Sequence, residues 1–200
     1  MRLYRQMILV LSSIGVISGA LLTTVNLFTK DRIAANKQRE IEAGIVRVVP
    51  GTKASQKIYE ENDFTVYEGK DEEGLVLGVA VSTAVGGFQD KIVYIFGLNA
   101  ELTRVSSLYV LEQKETPGLG AKITNEESFL QFWEERDCSQ PITLRKPAVD
   151  KSQLAPSEVN TITGATISSR AVLTGVNAAV EKIKRLKQEG KLNAEGSHGE

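Results

Sequence analysis

Residues 160–170 read Asn160-Thr161-Ile162-Thr163-Gly164-Ala165-Thr166-Ile167-Ser168-Ser169-Arg170, with five hydroxyl side chains around a Gly-Ala pair. From Ile167 to Leu186 apolar residues recur at intervals of three and four, which predicts an amphipathic helix. The hydroxyl cluster therefore lies at a helix N-terminus, where free N–H groups and the positive end of the helix dipole suit a phosphate. Glycine in this stretch permits a sharp turn and a close approach of a ligand to the backbone.

Two interpretations of the hydroxyl cluster stay open on physical grounds. Ser and Thr residues before a helix are common caps, so the cluster can serve only to begin the helix. It can also be an attachment site for a phosphate-bearing ligand. It is not a Walker A loop, because no Gly-Lys-Ser/Thr follows a four-residue spacer.

Composition restricts the classes of function. The chain has 200 residues, with 24 basic and 25 acidic side chains and a formal net charge of -1, so nucleic acid is not an expected partner. It has one cysteine, Cys138, and one histidine, His198, which is too few for an iron–sulfur cluster or a structural zinc site. We predict no metal site, and any redox chemistry must come from an organic cofactor.

The N-terminal segment is predicted to be a membrane anchor. Residues 6–29 carry no charge and are long and apolar enough to span a bilayer, although a cleaved signal peptide or a buried core helix is the alternative. Gly15 and Gly19 form a small face that could pack on another helix. Two basic residues precede the span and four follow it within ten residues, so the positive-inside rule alone would put the following domain in the cytoplasm.

The rest of the chain predicts an α+β fold, an antiparallel β-sheet with flanking helices. A stalk helix is expected to end at Pro50-Gly51, and Phe129, Phe132 and Trp133 are expected on the apolar face of a short helix. The predicted strands of an antiparallel meander are 64–67, 75–85, 92–98 and 103–111. The predicted organisation is an anchor over 1–30, a stalk over 31–51, a domain over 52–187 and a disordered tail over 188–200.

Two motifs resemble those of a known family. Thr163-Gly164-Ala165-Thr166-Ile167-Ser168 resembles the Ser/Thr-Gly-Ala-Thr-x-Ser/Thr motif of FMN-binding domains, in which FMN is joined through its phosphate to a threonine hydroxyl. Glu115-Thr116-Pro117-Gly118-Leu119-Gly120 resembles the loop that these domains carry near the flavin, and the Gly86-Gly87-Phe88 turn fits the same pattern more loosely. Asn160 stands where the family often has Asp.

The resemblance implies a covalent FMN site. The phosphoester is expected on Thr166, in the first helical turn beside free N–H groups, with Ser168 as the alternative acceptor and Thr163 as the residue that opens the turn and caps the helix. Further cofactor contacts are expected from Gly164, Ala165, Glu115, Thr116, Gly118, Leu119 and Gly120. No catalytic residue is predicted.

Three residues of the loop motif have expected roles. Leu119 is expected to cover a face of the flavin ring, and Thr116 to hydrogen-bond the edge of the ring. Two interpretations of Glu115 stay open: it tunes the flavin potential through hydrogen bonding, or it is a solvated loop carboxylate.

Over nearly its whole length the chain resembles the G subunits of Rnf-type ion-translocating ferredoxin:NAD+ oxidoreductase complexes, and it is similar to the C subunits of sodium-translocating NADH:quinone oxidoreductases. The implied function is electron relay by a redox subunit with no complete activity alone. The implied partners are other membrane subunits and a flavin transferase. The implied location is the cell inner or plasma membrane with the domain on the extracytoplasmic side, opposite to the local charge count. The rival hypothesis is a membrane-tethered extracytoplasmic binding or structural module without flavin.

Overall fold

The computed structural model describes residues 2–146 and 148–192. His198 and most of the predicted tail lie outside these residues. Contacts divide the chain between Glu40 and Ile41 into an N-terminal unit and a larger unit. The elements are α1 Arg2–Val48, β1 Ala54–Glu61, β2 Phe64–Lys70, β3 Val76–Gly86, β4 Lys91–Asn99, β5 Arg104–Glu112, β6 Arg136–Asp137, β7 Thr143–Arg145, β8 Glu158–Asn160 and α2 Thr166–Gln188, with three short 3-10 turns at Gly120–Thr124, Leu130–Trp133 and Lys151–Gln153.

The N-terminal unit is one long apolar helix. Its most apolar window has a mean hydropathy of 2.1 and no buried residue, so by length and composition it is able to cross a membrane. The hydroxyls of Thr23, Thr24 and Thr29 each donate to the carbonyl oxygen four residues earlier at 2.8 Å, which satisfies them inside the helix. The predicted anchor over 1–30 and most of the predicted stalk helix over 31–51 lie within the bounds of α1.

The end of α1 is part of the folded domain. Ile45, Val48 and Val49 are buried against one face of the sheet, in a cluster with Ala80 and Ile95. The predicted start of the domain at residue 52 therefore omits residues that pack in its core. The stalk pattern gave no sign of this, because apolar residues at helical spacing do not reveal what covers them.

The larger unit is built on a six-stranded antiparallel sheet in the order β1-β2-β3-β4-β5-β6. The four predicted strands are confirmed as β2 to β5, and so is the predicted fold class. Strand β1 was not predicted; it is an edge strand in which all eight side chains are exposed or half-buried. Because neither face of β1 is buried, it lacks the apolar alternation by which a strand is detected.

The other face of the sheet packs on α2. Val172, Val176 and Ile183 of α2 are fully buried in the main core, which also contains Tyr94 and Phe96 of β4. Phe129 and Trp133 join this core with their ring centroids 5.9 Å apart, but the predicted short helix is a single 3-10 turn. Gly175 in the first half of α2 lies against Val85 near the end of β3 and against Tyr94 of β4. The N-terminus of α2 therefore lies beside the turn that connects β3 and β4, where Phe88 and Thr166 line one pocket.

Candidate functional site

Three segments that are distant in sequence enclose one pocket of ≈ 320 Å³, which we call the three-walled pocket. Its walls are the turn between β3 and β4, the loop after β5 and the start of α2. The lining residues are Phe88, Glu115, Thr116, Leu119, Gly120, Gly164, Ala165, Thr166, Ile167 and Ser168. The structure thus brings the two motifs together. Of the predicted cofactor contacts, Gly118 and Thr163 do not line this pocket.

Glycines shape both motif segments. Gly118 has φ 76° and Gly164 has φ 84°, in the left-handed region that glycine adopts without strain. The turn at Gly118 is closed by the N–H groups of Leu119 and Ala121, which both donate to the Thr116 carbonyl at 3.1 and 3.2 Å. The loop and the helix start therefore fold back on themselves and face each other across the pocket.

No side chain caps the N-terminus of α2. The capping residue is Ala165, and it makes no side-chain cap hydrogen bond. The prediction that Thr163 caps the helix is therefore wrong. Thr163 lies two residues before the cap, in a turn that the Ala165 N–H closes by donating to the Ile162 carbonyl at 3.0 Å. The first N–H groups of the helix are left for water or a ligand.

Three of the five hydroxyls in the cluster have structural partners. Thr161 donates to the Arg145 carbonyl at 2.9 Å, and Ser169 donates to the Ala165 carbonyl at 2.9 Å. Ser168 is 1% exposed, and its hydroxyl donates to the Glu115 carboxylate at 2.5 Å. Thr163 is exposed, whereas Thr166 is half-buried in the pocket wall. Within residues 2–146 and 148–192 neither of these two hydroxyls has a hydrogen-bond partner.

Glu115 is buried at the meeting point of the three walls, with 4% of its surface exposed. Its Oε2 accepts from Ser168, and its Oε1 accepts from the backbone N–H of Gln89 at 2.9 Å and of Asp90 at 3.5 Å. Burial raises the pKa of the Glu115 carboxyl, but these donors outweigh it and hold the pKa below its usual value. The interpretation of Glu115 as a solvated loop carboxylate is wrong.

Thr116 adds a second tie between two of the walls. Its hydroxyl donates to the Gln89 side-chain oxygen at 2.9 Å. The Gln113 side chain in turn accepts from the Glu115 N–H at 2.6 Å, so the loop is held on both sides of Glu115. The Thr116 oxygen keeps a lone pair for a ligand, but its hydrogen is already used.

The rim of the three-walled pocket is apolar and exposed. Phe88, Leu119 and Ile167 keep 67%, 50% and 58% of their surface accessible. No role was predicted for Ile167. The available signal was that Ile167 is a large apolar residue inside the hydroxyl cluster and does not belong to the apolar residues that α2 buries, the first of which is Val172.

A second pocket of ≈ 530 Å³ lies beside the segment that leads into α2, and Thr163 lines it together with Glu127, Asp150 and Asn160. Asn160 is buried and pins the preceding loop: its Oδ1 accepts from the Val149 N–H at 3.1 Å and its Nδ2 donates to the Val149 carbonyl at 2.5 Å. An aspartate in this position could accept the first hydrogen bond but could not donate the second.

Comparison with known proteins agrees with this geometry. Residues 87–181 match the FMN-binding domain family, a range that contains Phe88, the loop 115–120 and Thr166. The chain is 34% identical over 125 residues to the G subunit of the ion-translocating oxidoreductase complex of Methanosarcina acetivorans, covering 62% of this chain and 60% of the relative. It is 28% identical over 126 residues to the G subunit of the Na(+)-translocating ferredoxin:NAD(+) oxidoreductase complex of Acetobacterium woodii, covering 60% and 56%. The chain thus spans less than two thirds of these two relatives.

Other matches cover more of the chain. The G subunit of an ion-translocating oxidoreductase complex of Aliivibrio fischeri is 28% identical over 199 residues, which is 90% of each chain. The fold is similar to crystal structures of the C subunit of Na(+)-translocating NADH-quinone reductase of Parabacteroides distasonis (TM-score 0.59, 16% identity, 78% of this chain and 96% of that one) and of NqrC of Shewanella oneidensis (TM-score 0.52, 18% identity, 70% and 73%). Residues 87–181 are therefore similar to the FMN-binding domain family, and 90% of the chain is similar to the G subunit of an ion-translocating oxidoreductase complex.

Proposed function

We propose that this chain is a membrane-anchored electron carrier with covalently bound FMN, acting as a redox subunit of an Rnf-type ion-translocating ferredoxin:NAD+ oxidoreductase complex. The observation that carries the proposal is the convergence of both motifs on the three-walled pocket, with Thr166 in its wall. When bound, FMN supplies the transfer of one or two electrons. The residues of the chain hold and orient it.

The pocket suits a flat ring joined to a phosphate. Its volume of ≈ 320 Å³ is typical of small-molecule sites, and its apolar rim of Phe88, Leu119 and Ile167 offers surfaces on which a ring can lie. At the opposite end of such a ligand, a phosphate would meet the uncapped N-terminus of α2, where backbone N–H groups and the helix dipole stabilise negative charge.

Thr166 is the acceptor in this proposal. Its hydroxyl is half-buried in the pocket wall and has no partner among the described residues, so it is available for modification. The Thr166 oxygen would bond to the phosphorus of an activated flavin nucleotide as the leaving group of that donor departs from phosphorus, and the hydroxyl proton would be released. The Ser168 hydroxyl is already donated to Glu115 and is nearly inaccessible. Thr163 is accessible but faces the second pocket. A flavin transferase is the required partner for this modification.

The carrier is proposed to work only with partner subunits. The sequence contains no dinucleotide-binding fingerprint, so electrons would have to reach and leave the flavin through other proteins. One related subunit is named as part of a Na(+)-translocating complex and another as part of a proton-translocating complex. The proposal therefore names the class of complex and does not name the ion that it moves.

We place α1 in the cell inner or plasma membrane and the domain on the extracytoplasmic side. The apolar helix and the membrane-complex relatives support anchoring. The orientation rests on the family resemblance and opposes the count of basic residues around the span. Alkaline phosphatase fused after Lys191 tests it: activity supports the proposal, and activity only of a cytoplasmic reporter overturns it.

The flavin itself is tested on a denaturing gel. The full chain is produced in a host with and without a flavin transferase, together with Thr166→Ala and the matched control Thr163→Ala. The proposal expects a flavin-fluorescent band at the mass of the protein only with the transferase, unchanged in the Thr163 variant and absent in the Thr166 variant. If the protein from the host with the transferase shows no flavin fluorescence, the result would support the rival hypothesis of a membrane-tethered binding or structural module without flavin.

A further inference from the structure

We infer that Glu115 is a positioning residue. Hydrogen bonds to its carboxylate tie the three walls of the three-walled pocket together, and this tie fixes the position in which the flavin ring binds. The identity of the ligand rests on the proposed function, whereas the tie itself rests on the geometry of the chain. Glu115 is not proposed to exchange electrons or protons with the ligand.

The hydrogen bonds of Glu115 join segments that are far apart in sequence. Gln89 lies 26 residues before it and Ser168 lies 53 residues after it, and both donate to the same carboxylate. Its own backbone N–H is held by Gln113. One side chain therefore connects the β3–β4 turn, the loop after β5 and the first turn of α2.

The site is shaped to receive this carboxylate. A Cβ atom on Gly87 would collide with Glu115 Oε1, and a Cβ atom on Gly120 would collide with Glu115 Oε2 and lie 2.7 Å from the Ser168 hydroxyl oxygen. Glycine thus stands on both sides of the buried group, where any other residue would displace it. Two backbone donors and one hydroxyl donor compensate the desolvation of the charge, as a stable buried carboxylate requires.

Two substitutions of Glu115 should have different effects, because glutamine can keep the hydrogen bonds to these donors and alanine cannot. In Glu115→Gln the amide oxygen can still accept from the Gln89 and Asp90 N–H groups, and the new NH₂ group can donate to Ser168, whose hydroxyl rotates to accept. In Glu115→Ala all of these bonds are lost, and two backbone N–H groups lose their acceptor. If Glu115 acts by holding the three walls in place, Glu115→Gln should largely keep the hydrogen-bonded arrangement that Glu115→Ala loses.

The tie is measured first without flavin, so that it does not depend on the proposed function. Hydrogen exchange is followed by mass spectrometry on the full flavin-free chain in detergent, with Glu112→Ala, an exposed glutamate three residues away, as the matched control. We expect exchange in Glu115→Ala to be about tenfold faster in the turn 86–90 and at the start of α2, as well as in the loop 115–120. We expect Glu115→Gln to remain within about threefold of wild type.

The second experiment measures whether the flavin ring is held in a fixed position, in chain modified by a flavin transferase. Visible circular dichroism and flavin fluorescence anisotropy report whether the ring is held, and the denaturing gel reports whether it is attached. We expect Glu115→Ala to keep the gel band but lose the dichroism and most of the anisotropy, and Glu115→Gln to keep all three.

The outcomes are distinguishable. A wild-type chain with no gel band contradicts the proposed function and leaves the exchange experiment as the test of the tie. Faster exchange confined to residues 115–120 in Glu115→Ala overturns the tie, and so does wild-type dichroism and anisotropy in that variant. A glutamine variant as impaired as the alanine variant would also overturn the positioning role.

Discussion

Thr166 and Ser168 lie two residues apart in the first turn of α2, yet their hydroxyls have different surroundings. Ser168 is 1% exposed and donates to Glu115 at 2.5 Å, whereas Thr166 is half-buried in the wall of the three-walled pocket and has no partner among the described residues. The sequence motif contains both residues and does not distinguish them. Their surroundings favour Thr166 as the acceptor and Ser168 as a structural partner of Glu115.

Ser168→Ala should therefore destabilise the protein without abolishing flavin attachment. The substitution leaves Glu115 Oε2 without its donor, which should lower the free energy of unfolding by about 1–3 kcal/mol. Trp133 is the only tryptophan and is fully buried, so its fluorescence follows unfolding in urea. A folded Ser168→Ala protein that carries no flavin would contradict this assignment.

The stabilisation due to Glu115 should depend on pH. Its pKa in the folded state is below the usual value, because the donors from Ser168 and the turn 86–90 outweigh burial. Its contribution is therefore fully present above the pKa of an unfolded glutamate, about 4.3, and is lost as the pH falls through the lower pKa of the folded state. The difference in unfolding free energy between wild type and Glu115→Gln should shrink over that range. A difference that is constant down to the folded-state pKa would contradict the prediction.

Tyr94 and Gly175 give a pair of opposite predictions for the packing of α2 on β4. The Tyr94 hydroxyl is fully buried, and no atom of the described residues hydrogen-bonds to it. Tyr94→Phe should therefore raise the free energy of unfolding by about 1 kcal/mol, because it removes an unsatisfied polar group.

Gly175→Ala should lower the free energy of unfolding, since the new methyl group would collide with the Tyr94 hydroxyl. Overpacking of this kind costs about 1–3 kcal/mol. Combined with Tyr94→Phe, part of this cost should be recovered. Urea unfolding of both single variants and the double variant measures the coupling, and strictly additive effects would show that the two residues do not meet.

Asn160→Asp should destabilise the loop before β8. The amide of Asn160 both donates to and accepts from the backbone of Val149. Aspartate would lose the N–H donor and place a buried negative charge beside the Val149 carbonyl oxygen. This should lower the free energy of unfolding by about 1–3 kcal/mol. Unchanged stability in urea would show that the amide hydrogen bond to the carbonyl contributes nothing.

Much of the fold could be predicted because its elements follow simple periodicities. Strands β3 and β4 contain continuous apolar runs buried on both faces, and helix α2 buries one face at helical spacing. One motif follows β5 and the other begins α2, and both line the three-walled pocket. The edge strand β1 buries no face and left no pattern. The uncapped start of α2 could not be predicted either, since Ser and Thr residues before a helix normally indicate a cap.

The role of Glu115 was ambiguous in the sequence for a different reason. A carboxylate in a Pro-Gly loop is usually solvated, and only the approach of Gln89 and Ser168 from distant segments provides the donors that permit its burial. The apolar rim is likewise a tertiary property. Phe88 and Ile167 are far apart in sequence, and only the folded structure places both of them in the lining of the three-walled pocket.

We propose that FMN is joined through its phosphate to Thr166, and tandem mass spectrometry of one tryptic peptide can locate this bond. Cleavage after Lys151 and Arg170 releases residues 152–170, which contain Thr161, Thr163, Thr166, Ser168 and Ser169. In chain modified by a flavin transferase, we expect this peptide to carry the added mass of FMN less one water, with fragment ions that assign it to Thr166. The same mass assigned to Ser168, or an unmodified peptide from a host with an active transferase, would show that Thr166 is not the attachment site.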